Sequence, residues 1–176
     1  MIISAKLDLQ LTFPLLSQVC SSDVHTITGG WGKPELPLVS GHEVGGIARK
    51  VGSAVKSVKV GDRVVVGAQI DSCGNCRACK TDNENFCPEQ VDTYNAKSHD
   101  GKVTQGGYST AIRAPEQFVF SVPDALPLED AAPMACGGLT VYSPMKRAGV
   151  TKGTKLGVAG LGGLGACFPN RSRRFW

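Results

Sequence analysis

Cys73, Cys76, Cys79 and Cys87 follow a C-x2-C-x2-C-x7-C spacing within one polar stretch. A thiolate is a soft anionic ligand, and four within reach of one another close a tetrahedral Zn(II) site. Gly74, Asn75 and Asn83 let the chain turn tightly between them. Disulfides or spare buried thiols are the alternative for any cysteine cluster. Four thiolates leave no coordination position open, so the spacing predicts a structural zinc that braces a lobe.

A second set of metal-binding side chains is spread along the chain. Cys20 opens the run Cys20-Ser21-Ser22-Asp23-Val24-His25, His42 sits in Gly41-His42-Glu43, and Cys136 sits in Ala135-Cys136-Gly137-Gly138. Two cysteines and one histidine from three distant segments make the ligand set of a catalytic zinc whose fourth position stays free. A lone cysteine is otherwise a small buried hydrophobe, and a lone histidine a satisfied core or surface residue. Asp23 and Glu43 place carboxylates beside these ligands, where ligand orientation is set. Ser22 and His25 bring a hydroxyl and an imidazole, groups suited to passing a proton to water.

A third feature lies near the end. Lys155–Ala159 reads as a strand, and Gly160-Leu-Gly162-Gly163-Leu-Gly165 follows it. The first glycine of such a pattern permits a tight turn, the second lets backbone approach a pyrophosphate, and the third lets a helix pack on the strand. A flexible glycine loop is the alternative. Pro169 then falls where the helix should propagate. The ribose-reading side chain, expected about twenty residues further on, would lie past Trp176. Arg171 and Arg173 have the wrong spacing to read a 2′-phosphate. The tail after Gly165 is expected to be non-native.

The segments CSSDVHTITGGWG, PLVSGHEVGGIARKVG, VKVGDRVVVGAQIDSCGNCRACKTDNENFC, TQGGYS, AAPMACGGLTVYSPM and GVAGLGGLG occur in this order. Together they resemble the zinc-dependent medium-chain alcohol dehydrogenases, and within them the cinnamyl-alcohol-dehydrogenase-like group that uses NADP. The resemblance implies a GroES-like barrel followed by a Rossmann domain. It implies hydride transfer between NADP(H) and a primary alcohol or aldehyde of cinnamyl or other aromatic or long-chain type. It also implies two Zn(II) per chain, a homodimer in an intact relative, and a cytoplasmic location. Glu43 would orient the catalytic site or take a turn as ligand, Trp31 would line the substrate pocket, and Thr140 would pack against the nicotinamide ring. The family places two or three strands before its catalytic cysteine, whereas only nineteen residues precede Cys20 here.

The elements that must hold these groups read as mostly β. Val44–Val51, Asp62–Ala68, Tyr108–Arg113 and Phe118–Val122 are short runs rich in branched side chains, bounded by glycine and proline. Many short strands with such punctuation predict a partly open barrel with a zinc-braced lobe. Leu128–Ala148 reads as helical, interrupted at Pro133 and Pro144. The expected organisation is an irregular segment over 1–19, a GroES-like catalytic domain over 20–150 with its zinc lobe at 71–90, and the start of a dinucleotide-binding domain over 151–176. This chain is expected to be truncated at both ends and inactive by itself.

Composition bounds the function classes. The 176 residues carry 41% hydrophobic side chains and a net charge of +4, too mild a charge to argue for nucleic acid. No run reaches the roughly eighteen apolar residues of a membrane span. The opening MIISAKLDLQLTFPLLSQVC mimics a signal peptide, but cleavage near Cys20 would threaten a ligand, so it is read as part of the protein. Seven cysteines, most assignable to metal, suit a reducing compartment. Two other readings compete: a non-catalytic zinc-binding fragment, and a four-cysteine nucleic-acid module. The tight cysteine spacing and flanking Asp71, Asp82 and Glu84 argue against the second.

Overall fold

Short runs of Val and Ile bounded by glycine set up strands whose apolar side chains must be buried. The computed structural model describes the backbone of residues 8–167 and side chains from residue 16 onward. Strands β1 (Asp8–Gln18), β2 (Glu43–Val51), β3 (Arg63–Val66), β6 (Ala111–Pro115) and β7 (Val119–Ser121) form an antiparallel sheet in the order β6-β1-β2-β3-β7. β4 (Gln69–Asp71) and β5 (Val91–Asp92) form a separate pair. β6 and β7 remain edges of the five-stranded sheet, so the barrel is open among the described residues.

Register places the pattern. Val44, Val64 and Val66 have no exposed surface and pack with Ala48, Ile112 and Val119 into the main core. Each branched side chain so buried contributes roughly 1.5–3 kcal/mol relative to exposure. A second cluster of Val65, Val122, Leu128 and Ala131 seats the helical segment on the other face of β3. That segment runs as α2 (Leu128–Ala131), a 3-10 turn (Ala132–Ala135) and α3 (Gly137–Arg147). The breaks fall around Pro133 and Cys136, while Pro144 is accommodated inside α3.

Two expectations need correction. The stretch 1–19 was expected to be irregular, yet β1 lies inside the sheet between β6 and β2, paired with β2 from Leu9↔Val51 to Gln18↔Glu43. Its register slips between Thr12 and Leu16, an irregularity that accommodates Pro14, which has no N–H for the ladder. Lys155–Ala159 was expected as a strand, but it carries no regular structure and is mostly exposed. A parallel central strand needs neighbours for its backbone groups, and none pairs with it among the described residues. The glycine turn after it is present: Gly160 has φ +90°, a Cβ on Gly165 would collide with the Gly160 carbonyl, and residues 163–167 are helical. Pro169 and the arginine-rich tail lie outside the described residues.

Candidate metal centre

α1 (Ser21–Ile27) starts directly after Cys20, and Asp23 in its first turn does the local work. Asp23 is 1% exposed and accepts four hydrogen bonds. Its Oδ2 takes the Cys20 N–H at 3.0 Å and the Tyr108 hydroxyl at 3.0 Å. Its Oδ1 takes the Gly41 N–H at 3.0 Å and His42 Nδ1 at 3.0 Å. Burial raises the Asp23 pKa, but the Cys20 amide, His42 and further hydrogen bonds outweigh it and hold the carboxyl below its usual value. An ionised acceptor opposite Nδ1 fixes the proton on that nitrogen and turns the Nε2 lone pair outward. Gly41 makes this approach feasible at φ +102°, where a Cβ would meet Ser17 Oγ at 2.7 Å and Tyr108 Cδ1 at 2.9 Å.

His42 Nε2 lies 3.1 Å from Cys136 Sγ. Ligand atoms of Cys20, His42, Glu43 and Cys136 all fall within 4.8 Å of one another. Glu43 is 6% exposed and its Oε1 accepts the Gly137 N–H at 3.4 Å, tying the start of β2 to the start of α3. Burial first, then the acidic neighbours Cys20 and Glu43, push the Cys136 thiol up to about 12. A pocket of two thiols, a carboxylate and an imidazole lone pair is unfavourable as anions without a dication to compensate them. The donor set therefore fits Zn(II).

The other cluster fits zinc on a separate ground. Sγ atoms of Cys73 and Cys87 lie 3.5 Å apart, those of Cys76 and Cys79 3.5 Å, and those of Cys73 and Cys79 4.0 Å. Tetrahedral thiolates at Zn–S distances of about 2.3 Å are separated by about 3.8 Å, whereas a disulfide needs about 2.05 Å. Backbone N–H groups of Cys73, Cys76, Cys79 and Glu89 point at these sulfurs at 3.3–3.5 Å. Amides of Asn75 and Cys76 pull the Cys73 thiol down to about 7, while burial pushes its neighbour Cys87 up to about 11.

A cavity of about 400 Å³ opens beside His42 and Cys136, walled by Ser22, Thr26, Trp31, Thr93 and Tyr94. Trp31 is 67% exposed and stacks on His25 with ring centroids 5.3 Å apart and an 18° interplanar angle. Ser22 is half-buried on the wall, while His25 is exposed one helical turn further along α1. Thr140 is exposed in the first turn of α3, its N–H donating to the Cys136 carbonyl at 2.9 Å. Gly160, Gly162 and Gly163 lie exposed, and Gly165 half-buried, in the turn already described.

Residues 15–124 match the alcohol dehydrogenase GroES-like domain. The chain belongs to that family. Within this GroES-like family it is 54% identical over 153 residues to cinnamyl alcohol dehydrogenase 3 of Arabidopsis thaliana, covering 86% of this chain and 41% of that relative. It is similar in structure to the CAD of Helicobacter pylori complexed with NADP(H), with TM-score 0.90 and 41% identity over 96% of this chain and 49% of that one. A cinnamyl alcohol dehydrogenase of Sorghum bicolor gives TM-score 0.91 and 41% identity over 97% and 49%. The chain thus spans less than half the length of each.

Sequence reasoning missed several members of this GroES-like site. Tyr94 is buried, packs its ring 5.9 Å from that of His42 and places its hydroxyl 3.5 Å from Thr26 Oγ1. Tyr108 reaches Asp23 from 85 residues away. Asp92 joins the pocket wall. None belongs to a chemical motif of its own; the only signal was the aromatic in TQGGYS.

Proposed function

We propose that this chain supplies the zinc-binding, substrate-binding part of an oxidoreductase that moves hydride between NADP(H) and a primary alcohol or aldehyde of cinnamyl or other aromatic or long-chain type. The observation that carries this reading is the meeting of the ligand atoms of Cys20, His42, Glu43 and Cys136, two of which, His42 and Cys136, line a cavity. The family and the NADP(H)-bound relative support it.

Cys20, His42 and Cys136 would hold the catalytic Zn(II), with Glu43 orienting the group or replacing a ligand. Cys73, Cys76, Cys79 and Cys87 would hold the structural one. When bound, the catalytic metal supplies Lewis acidity toward a substrate oxygen, and NADP(H) supplies or takes the hydride. Ser22 accepts the substrate hydroxyl proton from the pocket wall and hands it toward His25, which is exposed to water and can release it. Asp23 holds the His42 ring so that Nε2 faces the cavity. Trp31 offers an apolar face to an extended or aromatic substrate. Thr140 would pack against the nicotinamide, and the glycines from Gly160 to Gly165 would leave room for the pyrophosphate.

Because the chain alone is expected to be inactive, the test joins it to a complete dinucleotide-binding domain and follows NADPH oxidation with cinnamaldehyde by absorbance of the reduced cofactor, beside the same protein carrying His42→Ala. We expect oxidation that depends on cinnamaldehyde and falls at least 100-fold in the variant. Oxidation at the same rate in both would remove His42 from the reaction and overturn the reading.

A further inference from the structure

TQGGYS is the one quoted segment to which the proposed mechanism gives no task. Structurally it is a clamp on the backbone that presents His42. Gly106 N donates to Val39 O at 2.7 Å, Gly107 N to Gly41 O at 2.8 Å and Tyr108 N to Ser40 O at 3.0 Å. Gln105 adds two more bonds, accepting from Val39 N at 2.6 Å and donating to Pro37 O at 3.1 Å. The approach is so close that only glycine fits: a Cβ on Gly106 would stand 2.5 Å from Gly41 O, and one on Gly107 would collide with Val44 Cγ2.

This docking delivers one side-chain atom. Tyr108 lays its ring against Gly41 and brings its hydroxyl 3.0 Å from Asp23 Oδ2 and 3.1 Å from Gln18 O. A hydroxyl has one proton, and a carboxylate is the stronger acceptor. Asp23 Oδ2 therefore receives it, with Gln18 O a weaker second acceptor alongside. Asp23 Oδ1 is left for Gly41 N and His42 Nδ1. Phe at this position would keep the ring contacts and lose that bond alone. Burial, then the Asp23 carboxylate, raise the Tyr108 pKa further above the ordinary phenol value, so the hydroxyl keeps its proton as donor.

We propose that Tyr108 is a positioning residue for the catalytic metal: its hydroxyl fixes the Asp23 carboxylate, and through it the His42 imidazole. This rests on the reading of Cys20, His42 and Cys136 as zinc ligands. Outer partners of a ligating histidine typically change metal affinity 10- to 100-fold when removed, and Tyr108 acts one bond further out.

The experiment measures zinc release from the zinc-loaded protein into excess chromogenic chelator, for wild type, Tyr108→Phe and Asp23→Asn. Two release phases are expected, one per site. Tyr108→Phe should accelerate one phase about tenfold and leave the four-cysteine phase unchanged. Substituting Co(II) should shift the visible absorption of that same site in the variant, a readout that general loss of stability would not move. Release from Tyr108→Phe at the wild-type rate, or equal acceleration of both phases, overturns the proposal. Asp23→Asn separates the two levels of the argument. If it accelerates one phase and Tyr108→Phe does not, the tyrosine proposal alone falls. If wild type shows a single phase for a single zinc, the underlying ligand assignment falls with it.

Discussion

His42 Nε2 and Cys136 Sγ stand 3.1 Å apart across 94 residues of sequence. The contact depends on two backbone meetings. His42 leads into β2, and Cys136 caps α3 at the end of the 3-10 turn Ala132–Ala135. Gly67, at the end of β3, passes so close beneath that turn that a Cβ there would lie 2.6 Å from Ala135 O. The Glu43 carboxylate then bridges to Gly137 N at 3.4 Å. The sheet and the helical segment thus fix the pair jointly, and the cavity takes its shape from both.

Replacing Cys79 with serine should cost the protein one zinc and much of its solubility. Cys79 is buried, with its Sγ 3.5 Å from that of Cys76. A hydroxyl is a poor soft-metal ligand, and metal binding and folding of such a lobe are coupled. Limited proteolysis followed by mass spectrometry should locate new cuts between residues 71 and 90. An uncut lobe with unchanged zinc would count against a structural metal there.

Much of this arrangement was legible before the structure. The branched runs at Val44–Val51, Asp62–Ala68 and Phe118–Val122 anticipate β2, β3 and β7, because glycine and proline punctuate them sharply, while Tyr108–Arg113 overlaps β6 only from Ala111 onward. β1 was missed although Leu9, Leu11 and Phe13 alternate with Asp8, Gln10 and Thr12; the alternation ends at Pro14, where the register slip absorbs the proline. β4 and β5 are too short to leave a period. The ligand atoms expected to meet do lie together, since cysteine and histidine in three separated motifs have few other reasons to recur. Tyr94 and Tyr108 stayed hidden because their placement comes from tertiary contacts that no local spacing encodes.

Trp31 should matter for affinity more than for turnover. Its indole is 67% exposed on the cavity wall and stacks on His25. In this chain joined to a complete dinucleotide-binding domain, Trp31→Ala should raise KM for cinnamaldehyde about tenfold, equivalent to about 1.4 kcal/mol of aromatic contact, with a smaller change for a short aliphatic aldehyde. Equal effects on both aldehydes would argue that the indole does not touch substrate.

Acid stability should depend on Glu116. Its Oε1 accepts the Lys56 N–H at 2.7 Å and the Ser57 N–H at 2.5 Å. Hydrogen bonding from Ser57, and then from Lys56, lowers its pKa from the ordinary 4.5. A carboxylate depressed in the folded state stabilises above its unfolded pKa, and that contribution fades as pH falls from 4.5 through the lower folded value. Thermal melts of wild type below pH 4.5 should therefore decline more steeply than those of Glu116→Gln. Parallel declines would show that this carboxylate does not link folding to pH.

Metal stoichiometry tests the account most directly. Native mass spectrometry of the zinc-replete protein should find two zinc ions per chain. Cys136→Ser and His42→Ala should each retain one, held by Cys73, Cys76, Cys79 and Cys87. A wild-type protein with one zinc, or a His42→Ala variant that keeps two, would contradict the two-site account.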